Sequence, residues 1–401
     1  MSTTLPQQHS LTMDPHDEEA LLADVKAFCE EISPIEELCY LEHKFNADAI
    51  TLGKKHNLFG IPVPKQYGGR GADLRAYMKA LVAFGRVSAG VRTLFSAHSS
   101  IGQKPIIGWG NEEQKQKYLT ASSKGEKIMA FGLTEPDAGS NPVEMTTTYR
   151  REGDHFILNG VKYLISNGGI AHTVVVFAYP EDGGRISAFI VDTDGEGFEK
   201  EDLTAKLGLP TSNTAMFELE EYKVPVENLL SDEGNGFRVA MGTLTTGRLS
   251  VAASCLGAIE DCLKEAVDYS KSRSQHGKEI AKHQLVQDHI ANIEMSRYAT
   301  ESLLNTAVDT YMSSEADPDN AELAKLADLH SAETKFFAAN AACDAADRAV
   351  QVFGGRGFSE LFRPGRHWKD IRVCRLYEGT DEIIKLKIAG AVLGKEFHAF
   401  K

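Results

Sequence analysis

The sequence predicts a mainly helical α+β protein: a helical N-terminal domain, a middle antiparallel β-domain and a C-terminal four-helix bundle. Three observations predict it. Apolar residues recur every three or four positions near both ends of the chain. Between them the pattern changes to short β-rich runs separated by turn-forming residues. The C-terminal helical segments are long and apolar on one side only, so they need partner helices to cover them. At 401 residues the chain is also too long for one core of ordinary size.

The first block, residues 1–127, is helical. Leu21, Val25 and Phe28 share one helix face, as do Leu81, Phe84 and Val87. Pro62, Pro64 and the run Gly68-Gly69-Arg70-Gly71 mark a loop between helices. The second block, 128–240, holds the strands. Phe156-Ile157-Leu158-Asn159-Gly160-Val161-Lys162-Tyr163 reads as two strands joined at Asn-Gly, a dipeptide that favours a type I′ hairpin turn. Thr173 to Ala178, Ile186 to Val191 and Ala215 to Leu219 read as further strands. The third block, 241–401, returns to helices. Its stripes are Leu256, Ile259, Leu263, Val267; then Val286, Ile290, Ile293; then Ala332, Phe336, Ala339, Cys343, Ala346, Val350, Phe353; and last Ile384, Ile388, Val392. The small residues of the third stripe allow a close helix approach.

Composition removes several functions. The chain is 42% hydrophobic and 25% charged, ordinary for a folded soluble protein, and its net charge of −14 disfavours nucleic acid, whose phosphates need clustered cations. The six cysteines form no C-x-x-C pair and none has zinc-ligand spacing to a histidine, which fits reduced thiols. Cys255, Cys262 and Cys343 fall on helical stripes and read as small core residues. Met1 to about Ala20 is polar without an apolar signal segment, and no run of about 18 apolar residues exists to span a membrane. His398 to Lys401 holds no lipidation or retrieval motif. A cytoplasmic location is the expectation. There is no H-E-x-x-H and no G-x-S-x-G, so zinc and serine hydrolases find no support, and no metal site is expected. Nor does a G-x-G-x-x-G follow a strand, which removes the Rossmann route to a dinucleotide.

Four segments hold candidate chemistry. Phe131-Gly132-Leu133-Thr134-Glu135-Pro136-Asp137-Ala138-Gly139-Ser140-Asn141 is dense in hydroxyls and small residues. Such a loop can present backbone N–H groups to a phosphate or a polar ring, or simply close a helix onto a strand. Leu164-Ile165-Ser166-Asn167-Gly168-Gly169 places a hydroxyl near a strand end. Gln351-Val352-Phe353-Gly354-Gly355-Arg356-Gly357 is either a helix cap and turn or a close backbone approach to a ligand. In Leu376-Tyr377-Glu378-Gly379-Thr380-Asp381-Glu382, Asp381 and Glu382 fall inside the first turn of a helix and suit its dipole. Glu378 lies outside that turn, beside Gly379, free to point into a cleft.

Together these segments resemble the acyl-CoA dehydrogenase family, from about residue 20 to 395. The resemblance rests on Leu133-Thr134-Glu135-Pro136-Asp137-Ala138-Gly139-Ser140, on Gln351 with Gly354-Gly355, and on Tyr377-Glu378-Gly379-Thr380, in order and at family spacing. Pro64-Lys65-Gln66-Tyr67-Gly68-Gly69 and Lys223-Val224-Pro225-Val226-Glu227-Asn228 match as well. The resemblance implies FAD, held between the β-domain and the bundle by Phe131, Leu133, Thr134, Ser140, Leu164 and Ser166. Arg273, His276, Gln284, Gln351 and Gly355 would reach the FAD of a neighbouring subunit in a homotetramer or homodimer, and Thr380 and Glu382 occupy further cofactor positions. Ser140, Thr245, Arg248, Tyr377 and Gly379 fall on the substrate side.

The family mechanism makes Glu378 the base that takes the α-proton of an acyl thioester, while hydride leaves the β-carbon for flavin N5. The thioester oxygen is held by the Glu378 backbone N–H and a ribityl hydroxyl of FAD. Electrons then pass to an electron-transfer flavoprotein or another acceptor. Three positions depart from the family pattern. Leu164 replaces a common aromatic residue, His276 a phenylalanine, and Thr245 an aspartate that contacts pantetheine. The last keeps open an acyl group on a carrier protein as well as acyl-CoA. An oxygen-using oxidase on the same fold is a further alternative. A monooxygenase-like relative is disfavoured by Glu378, and a non-catalytic scaffold by the retained motifs. Some family members place the base just before the arginine matched here by Arg248, but this chain has Gly247 there.

Overall fold

A computed structural model describes residues 12–397 and 399. The polar segment before residue 12 and most of the His398–Lys401 tail lie outside the described residues. Helix α1 (Pro15–Leu41) starts at Asp14, whose carboxylate accepts the His16 N–H at 2.9 Å, with proline in the first turn. It buries Leu21, Val25, Phe28 and Ile32. Helix α2 (Asp48–Lys55) follows, then α3 (Leu74–Val87), capped by Asp73, and α4 (Ala89–Ser96), capped by Ser88. A segment of π-turns over Ala97–Gln103 leads to three short helices, α5 (Lys104–Trp109), α6 (Glu112–Gln114) and α7 (Thr120–Ser123).

The middle of the chain forms one eight-stranded sheet. Its strands are β1 (Met129–Gly132), β2 (Thr148–Glu152), β3 (His155–Ser166), β4 (Thr173–Pro180), β5 (Ser187–Asp192), β6 (Phe198–Asp202), β7 (Thr214–Pro225) and β8 (Leu229–Leu230). Their order is β6-β7-β3-β2-β4-β5-β8, with β1 beside β4. Antiparallel pairing dominates, as expected, but β1 and β2 each run parallel to β4. The aromatic residues Tyr149, Phe156, Phe189 and Phe217 fill one buried cluster of this domain.

The expected hairpin at Asn159-Gly160 does not form. Both residues run through the middle of β3, and the β2–β3 turn is Gly153-Asp154 instead, between the paired residues Glu152 and His155. Asn159 bonds sideways: its Oδ1 accepts the Glu221 N–H and its Nδ2 donates to Glu221 Oε1, both at 2.8 Å. Gly160 takes φ +147° at a register shift against β7, and a Cβ there would lie 2.5 Å from Thr147 Oγ1. The glycine serves a bulge and a close approach rather than a turn.

The C-terminal part is built from α8 (Gly236–Ser272), α9 (Gln284–Ala316) and α10 (Ala321–Phe353), with α11 (Arg363–Asp370) and α12 (Asp381–Leu393) packed on α10. The buried face of α10 is Ala338, Ala339, Ala342, Ala345, Ala346 and Ala349, in one core with Ala252, Ala253, Cys255 and Ala258 of α8. Phe336, Cys343 and Val350 of the predicted stripe are only half-buried. Alanines let the two backbones approach, so the line of closest contact follows them and rotates the larger residues toward the rim. Helix α3 also packs on α8, so that one long helix joins the N-terminal core to the bundle.

Replacing Gly160 by alanine is expected to destabilise the protein by about 1–3 kcal/mol, because it adds both backbone strain and a clash with Thr147. Urea unfolding measures it, and an unchanged midpoint would show that the bulge relaxes freely.

Candidate active site

The loop Tyr377–Thr380 joins the 3-10 turn over Ile371–Arg375 to α12. Two successive residues have left-handed backbone, Glu378 at φ +54° and Gly379 at φ +95°. Glycine accepts this freely, whereas glutamate does so at a cost, so the surroundings must hold it. Three cations from three helices do so. Arg248 of α8 donates from Nε to the Glu378 carbonyl at 3.4 Å. Lys335 of α10, buried, donates to the Gly379 carbonyl at 2.6 Å. Arg92 of α4 donates to the Tyr377 hydroxyl and lies over its ring, 5.7 Å from the centroid. Thr380 caps α12 through the Ile383 N–H, and Asp381 is anchored by Arg375 at 2.7 Å.

The Glu378 carboxyl is turned inward, and its Oε2 is buried with no hydrogen-bond partner. Burial raises its pKa to about 7, against the opposing pull of Arg248, Lys335 and Arg92. The carboxyl fits only because residue 247 has no side chain: a Cβ on Gly247 would lie 2.5 Å from Glu378 Oε2 and 2.8 Å from Cδ. Next to it, Asp328 of α10 accepts from Arg248 Nη1 at 3.0 Å, from Thr245 Oγ1 at 3.4 Å and from Lys387. A carboxylate therefore does stand beside Thr245, supplied by a neighbouring helix. Of the predicted substrate-side residues, the structure brings Thr245, Arg248, Tyr377 and Gly379 together around Glu378.

The β-domain presents the second wall. The loop after β1 hangs on Glu135, whose carboxylate forms a buried ion pair with Lys162 of β3 at 2.7 Å. It also accepts the backbone N–H groups of Thr146 at 2.6 Å and Thr147 at 3.0 Å. Burial alone would favour the neutral acid, but Lys162 and these donors win and hold Glu135 ionised. Phe131 and Leu133 are buried, and Phe131 packs on Phe177 at 4.9 Å. The Thr134 carbonyl accepts the Tyr163 N–H at 2.9 Å, which sets the loop beside Leu164. Leu164 sits at φ +58° and is 55% exposed. Ser140 is exposed, and Ser166 ends β3 opposite Thr214. Among the described residues, nothing bonds the hydroxyls of Thr134, Ser140 or Ser166. An exposed apolar side chain beside three free hydroxyls suits an aromatic ring with a polar rim and a phosphate-bearing tail.

The remaining predicted residues lie elsewhere. Arg273, His276 and Gln284 are exposed in the α8–α9 connection, and Gln351 and Gly355 are exposed at the end of α10. Tyr269 of α8 stacks on Phe353 of α10 at 4.2 Å, so Arg273 and Gln351 share one end of the bundle. Glu382 is exposed in the first turn of α12. Within one chain these residues do not gather around Glu378. Among the described residues, no group of His, Cys, Asp and Glu is placed to hold a metal ion, and no helix is long and apolar enough to cross a membrane.

The chain matches the N-terminal domain of acyl-CoA dehydrogenase over residues 15–126, its middle domain over 130–222 and its C-terminal domain over 234–393. The chain belongs to the acyl-CoA dehydrogenase family. An acyl-CoA dehydrogenase of Bacillus subtilis is 39% identical over 91% of this chain and 94% of its own. The caffeyl-CoA reductase–Etf complex subunit CarC of Acetobacterium woodii is 36% identical over 88% of this chain and 91% of its own. The structure of an acyl-CoA dehydrogenase from Bacillus anthracis complexed with FAD superposes with a TM-score of 0.88, at 30% identity, covering 98% of this chain and 70% of that one. The protein is thus an oxidoreductase of the CH–CH type with FAD as cofactor, in a fold of helical, β-sheet and helical domains.

Arg92, Lys335, Asp328 and Lys162 are not among the site residues that the sequence predicts. Arg92 and Lys335 sit within helical patterns, and only their burial shows that they are more than surface charges. Lys162 was readable in principle, since it occupies an inward position of a strand. Replacing Gly247 by alanine is expected to lower turnover more than about tenfold by displacing the Glu378 carboxyl. The melting temperature should hold or rise, because alanine favours the helix by about 1 kcal/mol. Full turnover would show that the carboxyl has room to move.

Proposed function

We propose that the protein dehydrogenates the α and β carbons of an acyl thioester, most simply acyl-CoA, with Glu378 as the base that removes the α-proton. The observation behind this reading is the Glu378 carboxyl itself: buried, unpartnered at Oε2, and raised to about 7 by burial. A carboxylate with no partner in such a place is a stronger base than one in water, and its proton affinity suits neutral pH. Its left-handed backbone, held by Arg248 and Lys335, fixes the direction of the side chain. The Glu378 N–H is available to the thioester oxygen, where charge builds as the proton leaves. Thr245 and Arg248 stand where the thioester arm would enter.

FAD, once bound, supplies the acceptor for the β-hydride. Thr134, Ser140 and Ser166 would hold its polar groups, with Leu164 against its ring and Phe131 and Leu133 packed behind. Arg273, His276, Gln284, Gln351 and Gly355, with Thr380 and Glu382, fit a cofactor shared between subunits of a homotetramer. An electron-transfer flavoprotein is the proposed acceptor, in keeping with the relative named as part of a complex with one, and the cytoplasm is the proposed compartment.

Anaerobic bleaching of the flavin band by acyl-CoA thioesters tests the reaction. Glu378→Gln should keep FAD and lose turnover by on the order of a thousandfold. In the wild type the group must be ionised to act, so kcat/KM should rise about tenfold per pH unit up to about 7 and level off above it. Near wild-type turnover in Glu378→Gln would overturn the assignment, and a flat profile between pH 5 and 8 would remove the role of burial.

A further inference from the structure

The three cations around the Glu378 carboxyl differ in their partners. Lys335 donates to the Gly379 carbonyl, and Arg92 to the hydroxyls of Ser96 and Tyr377. Arg248, buried like the other two, instead bonds a carboxylate: its Nη1 donates to Asp328 Oδ1 at 3.0 Å. Its second contact, from Nε to the Glu378 carbonyl, is long at 3.4 Å. The shorter, charge-assisted bond is the stronger of the two, so it decides where the guanidinium rests. Arg248 lies on α8 and Asp328 on α10, and the pair pins the arginine across the contact between these helices. Asp328 Oδ1 also accepts from Thr245, one turn earlier on α8, at 3.4 Å, while Oδ2 takes Lys387 of α12.

The same carboxylate sets the balance of charge on this side of the base. Arg248, Lys335 and Arg92 act on Glu378 in that order of strength. On the Arg92 side stand the Tyr377 hydroxyl and the Cys374 thiol, 3.3 Å apart, and Asp381 of α12 is bonded by Arg375. On the Arg248 side, Asp328 lies between two cations, Arg248 and Lys387, and offsets part of their charge. Lys387 is half-buried. Burial and Arg248 both work against its charge, and Asp328 supports it. Without Asp328, two cations would stand beside the base with no anion between them.

We propose that Asp328 is a positioning residue for the base: it aims Arg248 at the Glu378 carbonyl and, by offsetting the charges of Arg248 and Lys387, keeps the Glu378 carboxylate basic enough to take an α-proton. The proposal rests on the dehydrogenase reading above and adds to it a residue that acts through Arg248. Position and charge are separable at this place. Asparagine at residue 328 keeps an Oδ1 acceptor for Arg248 and Thr245 but removes the anion. Alanine removes both. Methionine at residue 387 leaves Asp328 on Arg248 and removes one cation. Losing the anion favours the ionised form of Glu378, so its proton leaves at lower pH and the carboxylate is a weaker base. Losing the Lys387 cation acts in the opposite direction.

The experiment measures kcat/KM of the FAD-loaded enzyme against pH with an artificial electron acceptor, using whichever of butyryl-, hexanoyl- and octanoyl-CoA bleaches the wild-type flavin fastest. Asp328→Asn should move the acid limb of the profile down by about half a pH unit, and Lys387→Met should move it up by a similar amount. The double variant Asp328→Asn/Lys387→Met should return the limb to its wild-type place, which a merely structural role for Asp328 does not predict. Asp328→Ala should lower the plateau about tenfold further than Asp328→Asn, because Arg248 is then no longer aimed. The Asn and Met variants keep the local packing and carry the test independently of alanine. A wild-type limb near neutral pH that neither Asp328→Asn nor Lys387→Met displaces would overturn the role of Asp328 and leave the reaction in place. Bleaching of the wild-type flavin by none of the three thioesters would remove acyl-CoA as the substrate, and the proposed role of Asp328 with it.

Discussion

The hold that three helices keep on the strained backbone at Glu378 is the constraint on which the rest of the site depends. Left-handed backbone at a glutamate is unstable on its own, of order 1–3 kcal/mol. Arg248 and Lys335 offset it by bonding the carbonyls that the strain exposes. The same two cations, with Arg92, oppose the effect of burial on the carboxyl. Geometry and proton affinity are therefore set by one group of side chains, and neither can be altered alone. The long helices exist in this arrangement to deliver those side chains: α8 brings Arg248, α10 brings Lys335, and the alanine face between them keeps their spacing short.

The opposite wall obeys a different rule. The loop after β1 has little apolar material of its own, and it is ordered by an ion pair sunk between strands. Glu135 gathers Lys162, Thr146 and Thr147 at once, which fixes a loop whose outward hydroxyls stay unengaged. Order is supplied from beneath so that the upper face remains free for a ligand. A half-satisfied network here would cost more than an apolar core, which explains why every oxygen of Glu135 has a partner.

The domain order, the long helices and the motif-bearing loops were legible in the sequence because they rest on local periodicity and on short runs of characteristic residues. Glu378 was legible because a carboxylate outside the first helical turn has no local purpose. Asn159-Gly160 misled because the dipeptide reports only that positive φ is tolerated; whether the chain then turns or bulges is decided by Thr147 and Glu221 on neighbouring strands. The face of α10 was legible in part: Ala332, Ala339, Ala346 and Phe353 of the predicted stripe are buried, while Phe336, Cys343 and Val350 stand at its rim. Large apolar residues dominate a periodicity count, whereas close packing selects alanines. Arg92, Lys335 and Asp328 could not be read at all, since their meaning comes from helices far apart in sequence.

Gly247 and Glu378 are coupled by volume. The space that a side chain at residue 247 would take is the space that the Glu378 carboxyl already fills. A larger residue at 247 thus demands another side-chain position at 378, so two positions far apart in sequence constrain one another, and a single missing side chain on α8 decides where the carboxyl can rest.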